Sequence, residues 1–93
     1  MENFIRLPME VLNDKSISSS DKLLLGVIIS FSNNKYQVAF ANNARYARAL
    51  DLAPRTITRL IKELKDQNYI IVKFDCYGTS RKISVNYSHE RLK

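Results

Sequence analysis

Glycine is nearly absent from this chain: Gly26 and Gly78 are the two among 93 residues. A glycine-rich loop cannot be assembled from them, which excludes the phosphate-cradling loops of nucleotide-dependent enzymes. Cysteine occurs once, as Cys76, so an internal disulfide and a cysteine-based metal site are both ruled out. Flanked by Asp75 and Tyr77, it reads as a half-buried strand residue and not as a nucleophile. His89, the single histidine, stands between Ser88 and Glu90 in a polar segment, residues 88–93, expected to fray. Nucleophilic catalysis requires fixed geometry that a frayed segment does not supply. With no carboxylate cluster to hold a metal, the expectation is a protein that is not an enzyme and carries no cofactor and no metal. Long apolar runs are also missing. Residues 23–31 form the longest, nine positions that include Gly26 and Ser30, whereas a membrane span needs roughly 18. The opening MENFIRLPMEVL has neither the basic stretch nor the cleavage site of a signal peptide. A cytoplasmic protein with no membrane partner is expected.

The apolar share of 45% is ordinary for a folded domain, so disorder is not expected. Charge is distributed unevenly. Residues 1–44 hold four bases and four acids, whereas residues 45–93 hold eleven bases and five acids. The whole net charge of +6 therefore lies in the second half. A charge serving only solubility would be spread along the chain, and an excess confined to one half marks a surface that faces a polyanion.

Local patterns divide the chain into one domain. Pro8 biases Leu7 to extended backbone, and residues 9–12 form a short helical turn. Ser18 followed by Asp21 has the spacing of a capping box that opens a helix over residues 19–32. Leu23, Leu24, Leu25, Val27, Ile28, Ile29 and Phe31 cover nearly its whole circumference, so it is expected to be a buried spine. YQVAF, residues 36–40, is a run of strand formers that suits a first strand. A second helix over residues 43–50 is capped by Asn42 or Asn43, with Tyr46, Ala47 and Leu50 facing inward. Asp51, Leu52 and Ala53 make the turn. A third helix runs from Pro54, favourable at the first helical position, to about Asn68, which can end it in the left-handed conformation. Ile57, Leu60, Ile61 and Leu64 recur at helical spacing and face the core. Residues 69–75 form a strand with Ile70, Val72 and Phe74 inward. A turn around Gly78 leads to a return strand over residues 81–87 with Ile83 and Val85 inward.

At the stretch YARALDLAPRTITRLIKELKDQNYI the residues resemble the signature of winged helix-turn-helix proteins. An apolar residue then a small one (Tyr46, Ala47), a turn, an Arg-Thr-Ile run (Arg55 to Ile57) and a helix-to-strand junction (Glu63, Leu64, Tyr69, Ile70) carry the likeness. FIRLPMEVLNDKSISSSDKLLLGVIIS further resembles the opening of phage and plasmid replication-initiator DNA-binding domains, and the two likenesses together cover residues 4–87. Two positions depart from the pattern. Asp51 stands where a glycine commonly takes positive φ, a region aspartate tolerates better than most residues. Ala53 stands where Ser or Thr usually caps the reading helix, a loss worth about 0.5–2 kcal/mol.

The resemblance implies an α+β, mainly α, winged helix-turn-helix: a three-helix core with a C-terminal β-hairpin wing. The helix-turn-helix spans about 43–68, the wing about 69–87 and the tail 88–93. The implied partner is double-stranded DNA, in replication initiation or transcriptional regulation. Arg55, Thr56, Thr58, Arg59 and Lys62 lie on the outer face of the third helix, with arginine able to read guanine bidentately. Asn42, Asn43 and Arg45 at the start of the second helix suit backbone positioning. Tyr77, Thr79, Ser80, Arg81 and Lys82 of the wing suit a phosphate ridge or the minor groove. A second reading stays open: a winged helix used as a protein-interaction module, binding a host or replication partner or a second copy through Phe4, Ile5, Leu7 and Met9. Initiators of this kind usually carry a further domain, so an excised domain and a stand-alone regulator are both admitted.

Overall fold

The computed structural model describes residues 7–74 and 80–92. Phe4, Ile5, Cys76, Tyr77, Gly78 and Thr79, singled out above, lie outside the described residues. Helices α1 (Met9–Leu12), α2 (Ser19–Phe31), α3 (Asn43–Leu50) and α4 (Pro54–Asp66) precede an antiparallel hairpin of β1 (Ile70–Phe74) and β2 (Arg81–Val85). This is the winged helix-turn-helix expected from the sequence, mainly helical. Among the described residues no helix is long and apolar enough to cross a membrane.

The capping box of α2 forms as its spacing implies. Ser18 Oγ accepts from the Asp21 N–H at 3.1 Å, and Asp21 Oδ2 accepts from the Ser18 N–H at 3.0 Å. Two amides that the first helical turn leaves without partners are thereby satisfied. Leu24, Leu25, Gly26, Val27 and Ile28 of α2 are buried, but Leu23 is 51% exposed. The helix therefore has a solvent side at Leu23 and Ser30, and the expectation of an all-round buried spine is corrected. Helices α3 and α4 and strand β2 pack against its other sides and leave this one uncovered.

One core joins the elements: Leu24, Leu25 and Ile28 from α2, Tyr46 and Ala47 from α3, Ile57, Leu60 and Leu64 from α4, and Ile70, Ile83 and Val85 from the hairpin. Residues 36–40 do not make a strand. They contribute one antiparallel bridge, in which Ala39 N–H donates to the Ile83 carbonyl at 2.8 Å and Ile83 N–H donates back at 3.0 Å. Pairing stops there because Gln37 adopts a φ of 54°, incompatible with extended backbone.

The chain end differs most from expectation. Residues 88–92 are docked, not frayed. A 3-10 turn, Glu90–Leu92, buries Leu92 in the core, and the His89 ring stacks on Tyr69 with centroids 4.0 Å apart. The Arg91 guanidinium donates to the Glu10 carbonyl at 2.9 Å and lies 3.6 Å from Asp14 Oδ2. One apolar anchor and one aromatic platform are enough to order a segment that polarity alone would leave in solvent.

Candidate nucleic-acid interface

Left-handed residues end both helices of the pair, Asp51 at the turn between α3 and α4 and Asn68 at the junction of α4 with β1. Asp51 has φ 56° and ψ 48°, so the chain leaves α3 abruptly, with Leu52 N–H donating to the Ala47 carbonyl at 3.0 Å. Asn68, at φ 65°, closes α4 in the same way. Tyr69 N–H donates to the Leu64 carbonyl and Asn68 N–H to the Lys65 carbonyl, each at 3.0 Å, the paired bonds of a Schellman cap. Ala53 gives α4 no side-chain cap, and Pro54 at its first position removes one of the amides that would need one.

Helix α4 buries Ile57, Leu60, Ile61 and Leu64 and presents Arg55, Thr58, Arg59, Lys62 and Lys65 to solvent. Thr56 is half-buried, so it belongs to the margin of this face and not to its centre. Arg55 enters no ion pair among the described residues. Arg59 Nη1 lies 3.3 Å from Glu63 Oε2, and Lys62 Nζ lies 2.8 Å from Asp66 Oδ2. The hydrogen bond to Asp66 raises the Lys62 ammonium above its ordinary value. Exposed i, i+4 pairs of this kind are weak in water, so both cations remain exchangeable.

The residues expected to position the backbone have separate tasks. Asn42 caps α3, its Oδ1 accepting from the Arg45 N–H at 3.0 Å. The Arg45 guanidinium lies 4.6 Å from the centroid of the Phe31 ring and stays exposed. Asn43, expected to position the backbone, and Arg81, expected at a phosphate ridge or the minor groove, are joined to each other. Arg81 Nη1 donates to Asn43 Oδ1 at 2.6 Å, and Nη2 donates to the Ala41 carbonyl at 3.0 Å. Asn43 Nδ2 in turn donates to Thr58 Oγ1 at 2.9 Å, and that hydroxyl donates to the Pro54 carbonyl at 3.3 Å. A continuous chain of hydrogen bonds thus runs from the first turn of α4, through the first residue of α3, to the start of β2. Burial lowers the Arg81 guanidinium below its ordinary value, opposed by Tyr46. The strand alternation held the signal for this: Arg81 shares parity with the inward Ile83 and Val85.

That chain locks the hairpin to the helix-turn-helix. Asn43→Ala should remove both links and leave a half-buried guanidinium short of an acceptor. The expected destabilisation is about 2 kcal/mol in urea-induced unfolding, while loss of an exposed phosphate contact would leave stability unchanged.

On the hairpin, Ser80 and Lys82 are exposed. Lys82 stands directly opposite Lys73, which sequence reasoning had not singled out. Phe74 is 63% exposed, against the inward position expected for it, because β1 has run past the edge of the core. Tyr46 is buried and stacks on Phe31 at 5.5 Å between centroids, a core residue and not a phosphate contact.

Among solved structures, the chain is similar to the adhesin competence repressor (AdcR) of Streptococcus pyogenes, with a TM-score of 0.62 at 15% identity. The likeness covers 90% of this chain and 57% of that one, so this chain spans little more than half the neighbour's length. At such identity the match shows the fold. No curated protein matches the chain. Residues 15–70, which contain α2, the turn at Asp51 and all of α4, match the model of the helix-turn-helix domain, and the chain belongs to that family.

Proposed function

We propose that this domain binds double-stranded DNA, with the N-terminal half of α4 in the major groove and the outer face of the hairpin along the backbone. The observation that carries the reading is the division of α4 into four buried aliphatic residues and an outer face of Arg55, Arg59, Lys62 and Lys65. Helix-turn-helix domains meet the major groove with the second helix of the pair, which here is α4. The Lys73–Lys82 pair supports it independently. Like charges directly opposite on a ladder are unfavourable, and a phosphate between them removes the repulsion.

In this reading Arg55 and Arg59 address bases, and Lys62, Arg45, Ser80 and Lys82 address phosphates. Asn42 caps the helix whose N-terminus faces the backbone, and Asn43, Thr58 and Arg81 hold the two DNA-facing elements in register. The biological setting is transcriptional regulation, supported by the repressor named among the structural neighbours. The resemblance of residues 4–30 to the opening of phage and plasmid initiator domains supports origin recognition as a related role of the same surface.

Fluorescence anisotropy with labelled mixed-sequence duplex at low salt tests the proposal. Saturable binding is the expected result. Absence of binding would leave the fold as a protein-interaction module and overturn the DNA reading.

A further inference from the structure

The hairpin overhangs the N-terminus of α3. Phe74, at the end of β1, pairs in register with Arg81, and the two share a cleft of about 330 Å³ with Phe40, Asn42 and Ser80. Phe40 is 53% exposed, and neither ring belongs to the core. Tyr36, 64% exposed, meets Phe40 edge-on at 6.3 Å between centroids. Its loop is held in place: Asn34 Oδ1 accepts from the Tyr36 N–H at 2.9 Å, and Asn34 Nδ2 donates to the Val38 carbonyl at 2.8 Å. The Lys35 ammonium lies 5.0 Å from the Tyr36 ring centroid. Two exposed rings, Phe40 and Phe74, therefore line the cleft with Arg81, and Tyr36 with Lys35 extends the aromatic surface beyond Phe40.

Large exposed aromatic groups mark a binding surface, and the chemistry here selects among occupants. The described residues lining the cleft include an arginine and no carboxylate. Flat π-faces combined with cations are the footprint of single-stranded nucleic acid, where successive bases stack while the phosphates meet positive charge. The cleft is also continuous with the α4 surface, because Asn43 on its floor donates to Thr58 of α4.

We propose that this cleft takes an unpaired nucleobase of the DNA held by α4, so that the domain favours duplex with a single-stranded extension over closed duplex. The proposal rests on the DNA-binding reading. Stacking on one ring should make wild-type binding to a duplex with a short oligothymidine extension roughly tenfold tighter than to the same duplex closed.

Anisotropy titrations with the two DNAs read this directly, using Phe40→Leu and Phe74→Leu. These exposed positions tolerate leucine, which keeps apolar area but removes the flat face. Each variant should lose most of the preference and keep the affinity for closed duplex. Equal binding of the two DNAs by wild type, or a preference that survives both substitutions, overturns the cleft while sparing the α4 interface. Failure to bind either DNA overturns the DNA reading and this proposal with it. Concentration-dependent dimerisation in sedimentation, abolished by Phe40→Leu, would assign the cleft to a second copy and likewise overturn it.

Discussion

Asp14→Ala should be among the most destabilising single substitutions in the domain, by about 3 kcal/mol in urea unfolding at neutral pH. Asp14 is 6% exposed. It accepts from Tyr69 Oη at 2.5 Å, from Ser16 Oγ at 2.7 Å and from the Ser16 N–H at 2.9 Å. With Arg91 alongside, one carboxylate ties the coil after α1 to the start of the hairpin and to the docked C-terminal turn. Its removal strands the buried Tyr69 hydroxyl, and a buried donor without an acceptor loses its full solvation. Domains of ordinary size have roughly 5–15 kcal/mol in total, so the loss is a large share. The pH profile identifies the mechanism. Burial pushes the Asp14 carboxyl up, but the bonds from Tyr69 and Ser16 and the charge of Arg91 outweigh it and hold the group at about 2, against an ordinary 3.8. A carboxyl depressed by folding stabilises above its unfolded value and ceases to do so as the pH falls through the folded one. Wild type should therefore lose stability between about pH 4 and pH 2, and Asp14→Ala should lack that component. Tyr69 is shifted the other way, its hydroxyl pushed up by burial and by Asp14. Its contribution is present below the ordinary tyrosine value and disappears in strong alkali. Tyr69→Phe, which leaves Asp14 bonded to Ser16, should cost about 1 kcal/mol.

That cluster also shows what the sequence could and could not convey. The helices were legible because their signals are local: Ser18 with Asp21, Pro54 at the first position of α4, and the 3.6-residue spacing of Ile57, Leu60, Ile61 and Leu64. The two left-handed residues were legible for the same reason, since Asp51 and Asn68 both stand where periodicity stops and both tolerate positive φ. The docked C-terminus was not. Asp14 and Tyr69 are 55 positions apart, and Arg91 and Glu10 are 81 apart, so no window of sequence contains both partners. Segment 88–92 alone shows only polar residues around one leucine. Phe74 was misplaced because alternation states which side a residue faces and not how far the core extends beneath it. Arg81 shows the converse, a charged residue at an inward position. Its parity is inward, and Asn43 supplies the acceptor that makes an inward arginine tolerable, a partner 38 positions away that no local pattern shows. The site is thus half legible: the outer face of α4 follows from periodicity, while the bracing of wing to helix is a tertiary fact.

Arg55→Ala should weaken duplex binding by roughly ten- to a hundredfold, the range for an arginine that reads a base, and Arg59→Ala should weaken it less. Both are exposed on the leading half of α4, but Arg59 is held by Glu63 at 3.3 Å, whereas Arg55 has no such tether among the described residues. Arg59 has to exchange a carboxylate for DNA, and that exchange subtracts from its contribution. Glu63 itself is unusual. The neighbouring Asp21 carboxylate, which would accept a hydrogen bond from a protonated Glu63, raises its carboxyl above the ordinary 4.5, with burial and the Asp21 charge adding to it, despite Arg59. Lowering the pH toward that range should protonate Glu63, release Arg59 and tighten binding. Glu63→Gln, neutral at every pH, should bind about two- to threefold more tightly at pH 7, as expected for the loss of one surface pair, and should respond less to acid. Salt separates these local effects from the general field. If α4 and the hairpin together meet about five phosphates, log affinity should fall against log salt with a slope of about −4.5. Arg55→Ala should lower affinity unequally across sequences if it reads a base, whereas Lys82→Ala should lower it evenly and reduce the slope by about one. Unchanged affinity in both Arg55→Ala and Arg59→Ala would remove α4 as the reader. Duplex binding would then have to fall to the hairpin alone, where Lys73 and Lys82 supply charge and Ser80 an exposed hydroxyl.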